Sequence, residues 1–407
     1  MKLLIIPKPM FDKNMAVVSY CFRFQKSDRL LNIQTATSLD GAMRSPCIEI
    51  LSKVGLDTFT NGLPIFVPLN QFSLLHNIEN YLPQHAEKII FLIDQSIPPE
   101  ETFMYKMQHL KAYGYRFALE KLTDYDYMDP IINLSDFVLV NCSYANFKQS
   151  TGFLRQQYKH ISFVATDVNN MDLFNSIKNE KFYCYEGRFY SIPITKGKAE
   201  ISPVKVNYIK LLNMAGSEDF NIDEAAEIIS RDTYLSISLF KLVNSPYLGL
   251  TQQIKTVKHA VAMIGQNEVK KWVATALTGL LSSDRPDEIT RLSLIRAKFA
   301  ENLSKPFEMA MQSPSLFLMG LFSILDAALG TSIEEALKIV PVSDKIRHAL
   351  VDKSGDYAKV LDFMYQYEAA NWIEVSRQMI IYNIAAEDVF KAYMEAVLWY
   401  SSVAFDK

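Results

Sequence analysis

Residues 235–272 read LSISLFKLVNSPYLGLTQQIKTVKHAVAMIGQNEVKKW. Apolar residues recur at helical spacing over residues 235–243, and Asn244-Ser245-Pro246 and Gly249 then interrupt the pattern. A second helical run covers residues 256–264, and a third leads through Trp272. This stretch therefore predicts a set of helices joined by a fixed corner.

The chain beyond this stretch keeps the helical pattern and shows no run with a period of two. Gly320 lies in a run, residues 317–326, that is apolar nearly all the way round, which predicts a central buried helix with a close crossing at the glycine. The second half is therefore predicted to be all-α. Helices are predicted at residues 266–282, 287–303, 315–329, 333–339, 343–350, 357–371, 373–384 and 386–405.

The first half alternates short β-rich runs with helical ones. This rhythm indicates a parallel barrel of the TIM type or an open doubly wound sheet. Because about 200 residues is the low end for a complete barrel, some elements are expected to be missing. Strands are predicted at residues 2–6, 16–24, 65–68, 89–93, 116–120, 137–140, 161–165 and 182–185.

The two halves meet in a connector, residues 190–202, that is short, polar and contains Gly and Pro. We therefore predict a multidomain chain, with an α/β barrel over residues 1–197 and a helical domain over residues 198–407.

The composition limits the function further. The 407 residues carry 42 Lys and Arg against 45 Asp and Glu, a balance that does not favour nucleic-acid binding. No apolar run of about 18 residues occurs, and Pro7 ends the apolar start too early for a secretory signal, so we predict a cytoplasmic protein with no membrane partner. The four cysteines share no C-x-x-C spacing, so neither a zinc site nor a disulfide framework is expected.

The helical half resembles the HDOD family of bacterial signalling modules. The resemblance rests on the corner with Asn244, Ser245 and Gly249, on the AVAMIG run that ends at Gly265, and on Trp272. These residues are interpreted as a structural signature. The fold is related to HD phosphohydrolases, whose metal site needs a His-Asp pair, but neither His259 nor His348 is followed by Asp.

The first 200 residues resemble a shortened EAL domain, the barrel that hydrolyses cyclic di-GMP, in the form that precedes an HDOD domain. The matching segments are FDKN at residues 11–14, LKAYGYRFAL at 110–119 and GRFYSIP at 187–193, together with the FLMGLFSILD run at 317–326 of the longer EAL-HDOD architecture. This resemblance implies a TIM-like barrel of EAL type followed by an HDOD domain.

Active EAL enzymes hold two divalent metals among carboxylates, and the resemblance implies which residues stand at those positions here. Cys21 replaces the signature Glu, Gln25 the following Arg, Val67 the Asn of the next strand, and Leu92 a metal-binding Glu. Glu120 and Lys121 stand at the paired Asp, Leu139 at the catalytic Lys, Asn141 at the following Asp, and Thr166 at a late Glu. Asn70 and Asp94 are the nearest polar substitutes.

A lysine beside one remaining acid repels a dication. We therefore predict no catalytic residue, no metal, no cofactor and no hydrolysis, and we do not expect cyclic di-GMP binding. The favoured function is a catalytically inactive bacterial signal-transduction protein that acts on unknown signalling proteins, with the HDOD half as the output module. A non-hydrolysing cyclic di-GMP sensor and an active phosphodiesterase are the alternatives, and a homodimer is left open.

Overall fold

A computed structural model describes residues 3–26, 46–80, 83–122, 125–192, 211, 214, 221–243, 254, 256–281, 286–340 and 342–403. The chain folds into two compact units. The first comprises residues 1–190 with 367–377, and the second comprises residues 191–366 with 378–407. The predicted boundary at residue 197, the corner at residues 244–249 and most of the connector lie outside the described residues.

The first unit is built on eight strands that close into a barrel in sequential order. They are β1 (Leu3–Phe11), β2 (Val17–Lys26), β3 (Ile65–Pro68), β4 (Ile89–Ile93), β5 (Arg116–Leu119), β6 (Phe137–Asn141), β7 (Ser162–Thr166) and β8 (Phe182–Glu186). All eight predicted strands are therefore confirmed. The expectation of missing elements is not confirmed, because β1 pairs with both β2 and β8 and the sheet closes on itself.

One strand direction departs from the prediction of a fully parallel barrel. β1 runs antiparallel to β2 and to β8, whereas the pairs from β2 to β8 are parallel. The reason is the short turn between residues 11 and 17, because an antiparallel neighbour can follow after a few residues whereas a parallel one needs a long crossover.

Helices connect the later strands. They are α1 (Pro46–Val54), α2 (Leu56–Thr60), α3 (Gln71–Leu75), α4 (Glu101–Ala112), α5 (Tyr125–Leu134), α6 (Phe147–Gln157) and α7 (Met171–Ile177). Short 3₁₀ turns occupy Ile78–Asn80, Pro83–Lys88 and Phe189–Ser191. Gly114 follows the end of α4 at Ala112 and adopts φ +95°, a conformation common for glycine just after a helix.

The barrel interior is apolar. β4 reads IIFLI and is buried at every residue, as expected for a central strand covered on both faces. The side chains that fill the interior are Met10, Cys21, Phe66, Ile90, Leu92, Ala118, Phe137, Leu139, Val164 and Cys184. The barrel interior is thus a packed core, in which the buried Ser19 hydroxyl donates to the sulfur of Met10.

The described secondary structure of the second half is helical, and α18 runs across a boundary between the units. The helices are α8 (Ile222–Arg231), α9 (Thr233–Val243), α10 (Val257–Ile264), α11 (Gln266–Leu281), α12 (Asp287–Leu303), α13 (Ser313–Phe322), α14 (Leu325–Leu329), α15 (Ile333–Ile339), α16 (Asp344–Arg347), α17 (Asp356–Glu368), α18 (Trp372–Ile381) and α19 (Ala386–Val403). A 3₁₀ turn covers Ala310–Gln312, and a π turn extends α16 over His348–Asp352.

The predicted central helix is α13, which is buried from Leu316 to Phe322. A Cβ at Gly320 would lie 2.4 Å from the carbonyl oxygen of Arg296 in α12, so the predicted close crossing is confirmed. The prediction of one helix over residues 315–329 is wrong, because the chain turns at Ser323 and Ile324 and restarts as α14. Among the described helices, none is long and apolar enough to cross a membrane.

Candidate functional site at the barrel mouth

We call the rim formed by the carboxyl ends of the parallel strands the barrel mouth. Arg23 near the end of β2 reaches two carboxylates there. Its Nη1 lies 2.7 Å from Oε2 of Glu120, just beyond β5, and its Nη2 lies 3.1 Å from Oε2 of Glu186, the last residue of β8. One guanidinium therefore links three strands, using the fork geometry that makes Arg suited to carboxylate pairs.

Two lysines complete this network. The ammonium of Lys8 in β1 lies 3.8 Å from Oε1 of Glu186, and that of Lys121 lies 3.6 Å from Oε1 of Glu120. The Lys121 side chain is 73% exposed, whereas that of Glu186 is 8% exposed. The inner pairs are thus shielded from water, and the Lys121 pair is largely screened.

The charge states follow from these contacts. Burial opposes ionisation of Glu186, but Arg23 and Lys8 outweigh it and hold the pKa of this carboxyl below its ordinary value. Burial alone would lower the pKa of Arg23, but the neighbouring carboxylates raise it well above the ordinary value. Arg23 and Glu186 are therefore both ionised at neutral pH.

Asp167 follows β7 at the same rim, close enough to Glu186, Lys8 and Arg23 for their charges to act on it. Burial, with a further contribution from Glu186, raises the pKa of its carboxyl. Asp167 and Lys121 both adopt left-handed backbone conformations, with φ of 58° and 54°. Such conformations are unusual for residues other than Gly and often occur near functional sites.

Three positions at which the EAL resemblance implies catalytic residues lie in the apolar interior. Cys21, Leu92 and Leu139 are all buried members of the core cluster. Burial raises the pKa of the Cys21 thiol to about 12, so the thiol is neutral at physiological pH. Val67 is also fully buried. These four side chains offer no hard oxygen ligand.

The remaining predicted positions carry polar groups used in local hydrogen bonds. Oδ1 of Asn141 accepts from the amide and hydroxyl of Ser143, and the Thr166 hydroxyl donates to the Val140 carbonyl at 3.2 Å. Gln25 is half-buried in β2. Of the predicted positions, the structure brings only Glu120 and Lys121 into the ionic network.

The two nearby polar substitutes are also engaged locally. Asn70 caps α3 by accepting from the amide of Ser73 at 2.8 Å, and Asp94 accepts from the amide of Ser96 at 2.9 Å. Among the residues that the structure describes, no group of three or more His, Cys, Asp or Glu could hold a metal ion. The donor set therefore does not fit the two-metal site of the EAL resemblance.

Arg23 and Glu186 were missed as site residues. A signal for Arg23 was present, because residues two apart in a strand point to the same face, and Arg23 follows Cys21 by two. Glu186 ends β8 just before Gly187, where a Cβ would lie 1.9 Å from the Val168 carbonyl oxygen. This close approach holds the end of β8 against the loop after β7, which positions both Glu186 and Asp167.

The helical half contributes two described signature residues. Gly265 ends α10 with φ 79°, a conformation that glycine adopts at little cost and other residues rarely adopt. Trp272 is 5% exposed, and its Nε1 has no hydrogen-bond partner among the described residues. Gly265 thus ends a helix and Trp272 is buried, and their interpretation as a structural signature stays a prediction. Asn244, Ser245 and Gly249 lie outside the described residues.

The two candidate histidines are on the surface. His259 is exposed in α10, and its amide donates to the Thr256 hydroxyl that caps this helix. Nδ1 of His348 lies 2.7 Å from Oδ2 of Asp352, one helical turn away and also exposed. The two side chains take part in no cluster that could hold a metal within the described part of the chain.

Comparison with known proteins identifies a domain in the second half of the chain. Residues 201–327 match the HDOD domain model, so the chain carries an HDOD domain behind an eight-stranded barrel. The predicted resemblance to EAL-HDOD proteins is confirmed at this level.

Two relatives are similar over most of the chain. The uncharacterized protein YuxH of Bacillus subtilis (strain 168) is 26% identical over 413 residues, covering 98% of this chain and 98% of YuxH. The cyclic di-GMP phosphodiesterase CdgJ of Vibrio cholerae is 25% identical over 337 residues, covering 82% of this chain and 78% of CdgJ. An EAL domain protein from Listeria monocytogenes EGD-e aligns with 13% identity and a TM-score of 0.37, covering 46% of this chain and 87% of that one.

Proposed function

We propose that this chain is a catalytically inactive cytoplasmic signalling protein of bacterial type, which acts by binding other proteins and uses its helical half as the output module. The observation that carries the proposal is the ion-pair network of Arg23 with Glu120 and Glu186. In this network the carboxylates of Glu120 and Glu186 are both already paired with the guanidinium of Arg23.

The physical reason is competition for the same oxygens. A divalent metal needs several hard oxygen ligands, and Arg23 occupies oxygens of both carboxylates at hydrogen-bond distance. A metal would have to displace a desolvated guanidinium and then lie beside Lys8 and Lys121. The four positions filled by Cys21, Val67, Leu92 and Leu139 supply no replacement ligand.

The first alternative is a sensor that binds cyclic di-GMP without cleaving it. Two observations favour cyclic di-GMP over other ligands. The relative CdgJ is named for that nucleotide, and three cationic side chains line the barrel mouth, namely those of Lys8, Arg23 and Lys121. Phosphate oxygens pair readily with such groups. The second alternative is an active phosphodiesterase, which the name of CdgJ also suggests.

Hydrolysis is tested first. The full chain is incubated with cyclic di-GMP and Mg²⁺ or Mn²⁺, and linear products are separated by chromatography. We expect no turnover above a protein-free control. Metal-dependent hydrolysis that disappears in Glu120→Ala, and persists in the exposed control Glu227→Ala, would overturn the proposal.

Binding is tested separately by calorimetry. We expect no heat of binding when cyclic di-GMP is titrated into the full chain without metal. Micromolar binding that is lost in Arg23→Ala would establish the sensor alternative. Arg231→Ala, an exposed arginine paired with Glu227 far along the chain, is the matched control.

The output module is tested by comparing partner capture. Bacterial lysate is passed over the immobilised full chain, the Arg23→Ala chain and a chain altered on exposed helical positions such as Ile237 and Met263. If the helical half is the output module, the Arg23→Ala chain should capture the same proteins as the unaltered chain. The chain altered at Ile237 and Met263 should capture less of them. The reverse pattern would place the output at the barrel mouth.

A further inference from the structure

Helix α18 presents a stripe of exposed isoleucines. Ile373, Ile380 and Ile381 are 77%, 70% and 56% exposed. Their spacing of seven and eight residues places them on one helix face. Single exposed apolar residues are ordinary, but three large β-branched side chains on one face of a ten-residue helix are typical of a contact surface.

The other face of α18 is packed, so the direction of the stripe is fixed. Val375, Ser376 and Gln378 are buried, and Nε2 of Gln378 donates to Oδ2 of Asp362 in α17 at 2.6 Å. The helix therefore cannot turn its isoleucines inward without breaking these contacts.

The centre of the stripe is electrically neutral. Arg377 lies between the isoleucines on the exposed face, and its Nε donates to Oε2 of Glu374 at 2.8 Å. Each copy of the chain thus carries one positive and one negative group at this point. Such a surface can face an identical surface without burying an unpaired charge.

We propose that α18 pairs antiparallel with α18 of a second copy of this chain, about a twofold axis beside Arg377. Ile373 of each copy then contacts Ile380 and Ile381 of the other, since Arg377 lies midway between positions 373 and 381. The two neutral Arg377–Glu374 pairs meet at the centre, where each guanidinium can reach the opposite carboxylate. The surface is self-complementary, as a twofold dimer requires.

The wider charge of the chain allows this association. A net charge of −3 over 407 residues gives little mutual repulsion between copies. A helix of ten residues is about 15 Å long, which is small compared with the roughly 800 Å² per partner of a standard interface. The dimer is therefore weak, with dissociation on the order of micromolar.

Sedimentation velocity of the full chain tests the pairing. Between roughly 1 and 100 µM the wild-type chain should shift from monomer to dimer. Ile373→Lys and Ile381→Glu should each weaken association at least about tenfold, because each buries a charge against isoleucine. Leu398→Lys, at a 46% exposed leucine of α19, is the matched control and should leave association unchanged.

The double variant Ile373→Lys/Ile381→Glu tests the direction. In an antiparallel pair each introduced lysine faces an introduced glutamate of the other copy, so association should recover. In a parallel pair like charges would face each other and association would stay weak. Because positions 373 and 381 are eight residues apart, the two groups are too far apart for a pair within one helix.

Three results would overturn the proposal: a monomer over the whole concentration range, a dimer insensitive to Ile373→Lys, or no recovery in the double variant. Far-UV circular dichroism of each variant confirms that it folds. The inference goes beyond the proposed signalling function, because the dimer needs neither nucleotide nor partner protein. If the chain proved to be an active phosphodiesterase, the proposed signalling function would be refuted, but the sedimentation test of the dimer would still apply.

Discussion

Arg23 and Glu120 lie 97 residues apart in the chain and form an ion pair with 2.7 Å between Nη1 and Oε2. The pair joins β2 to the end of β5 across the barrel mouth. Its side chains are 21% and 14% exposed, so it is shielded enough to matter for stability.

Arg23→Ala should destabilise the barrel markedly. The substitution leaves the buried Glu186 without its closest cation, and breaking a buried pair from one side costs about 3–5 kcal/mol. Urea denaturation followed by tryptophan fluorescence and circular dichroism measures the loss. Arg231→Ala, which removes an exposed pair, should cost less than about 1 kcal/mol. Equal costs in both variants would show that the network contributes nothing.

The same network predicts a dependence of stability on pH. Because the folded pKa of Glu186 is below its unfolded value, its contribution is present above an unfolded pKa of about 4.3. The contribution is lost as the pH falls through the folded pKa. The wild-type chain should therefore lose its stability advantage over Glu186→Gln when urea midpoints are compared from pH 6 down to about pH 3. An advantage that grows on acidification would contradict this assignment.

Divalent metals should not stabilise the chain. Saturating a site at about one hundred times its Kd would add roughly 2.7 kcal/mol, which a thermal melt detects easily. We expect the Tm with millimolar Mn²⁺ to equal the Tm with EDTA. A clear rise in Tm that Glu120→Ala abolishes would show that the mouth carboxylates accept a metal despite Arg23.

Gly187→Ala should be strongly destabilising. The added methyl group would lie 1.9 Å from the carbonyl oxygen of Val168 and 2.8 Å from its nitrogen, and backbone atoms cannot move aside cheaply. A cost of about 3 kcal/mol is expected from this overpacking. Gly152→Ala is the control, because nothing lies within 4 Å of its Cβ position in α6. It should be neutral or stabilise the helix by up to about 1 kcal/mol.

Gly320→Ala should loosen the helical half. Its methyl group would lie 2.4 Å from the carbonyl oxygen of Arg296, forcing α12 and α13 apart. The hydrogen bond of 2.7 Å from the Ser293 hydroxyl to the Leu321 carbonyl bridges the same two helices and should weaken with it. Hydrogen exchange should show reduced protection in α12 and α13. Unchanged protection would mean that the two helices tolerate a methyl group at their crossing.

The sequence predicted the strands well because buried parallel strands appear as short apolar runs bounded by turns, as in the IIFLI of β4. It did not predict the direction of β1, because a hydrophobic pattern is the same for parallel and antiparallel neighbours. It also merged α13 and α14, since the apolar periodicity continues through Ser323 and Ile324 although the backbone turns there.

The amino-acid sequence by itself determined the barrel strands, the helical second half and the absence of an oxygen ligand on the side chains of Cys21, Val67, Leu92 and Leu139, because these depend on residue type and local spacing. Only the tertiary structure decided that Arg23, Glu120 and Glu186 form one network. Ion pairs between residues far apart in sequence depend on how strands are brought together, and that information lies in the closure of the barrel. The exposure of the isoleucine stripe on α18 also became clear only from the tertiary structure, because the burial of a helix face depends on the neighbouring helices and not on the helix alone.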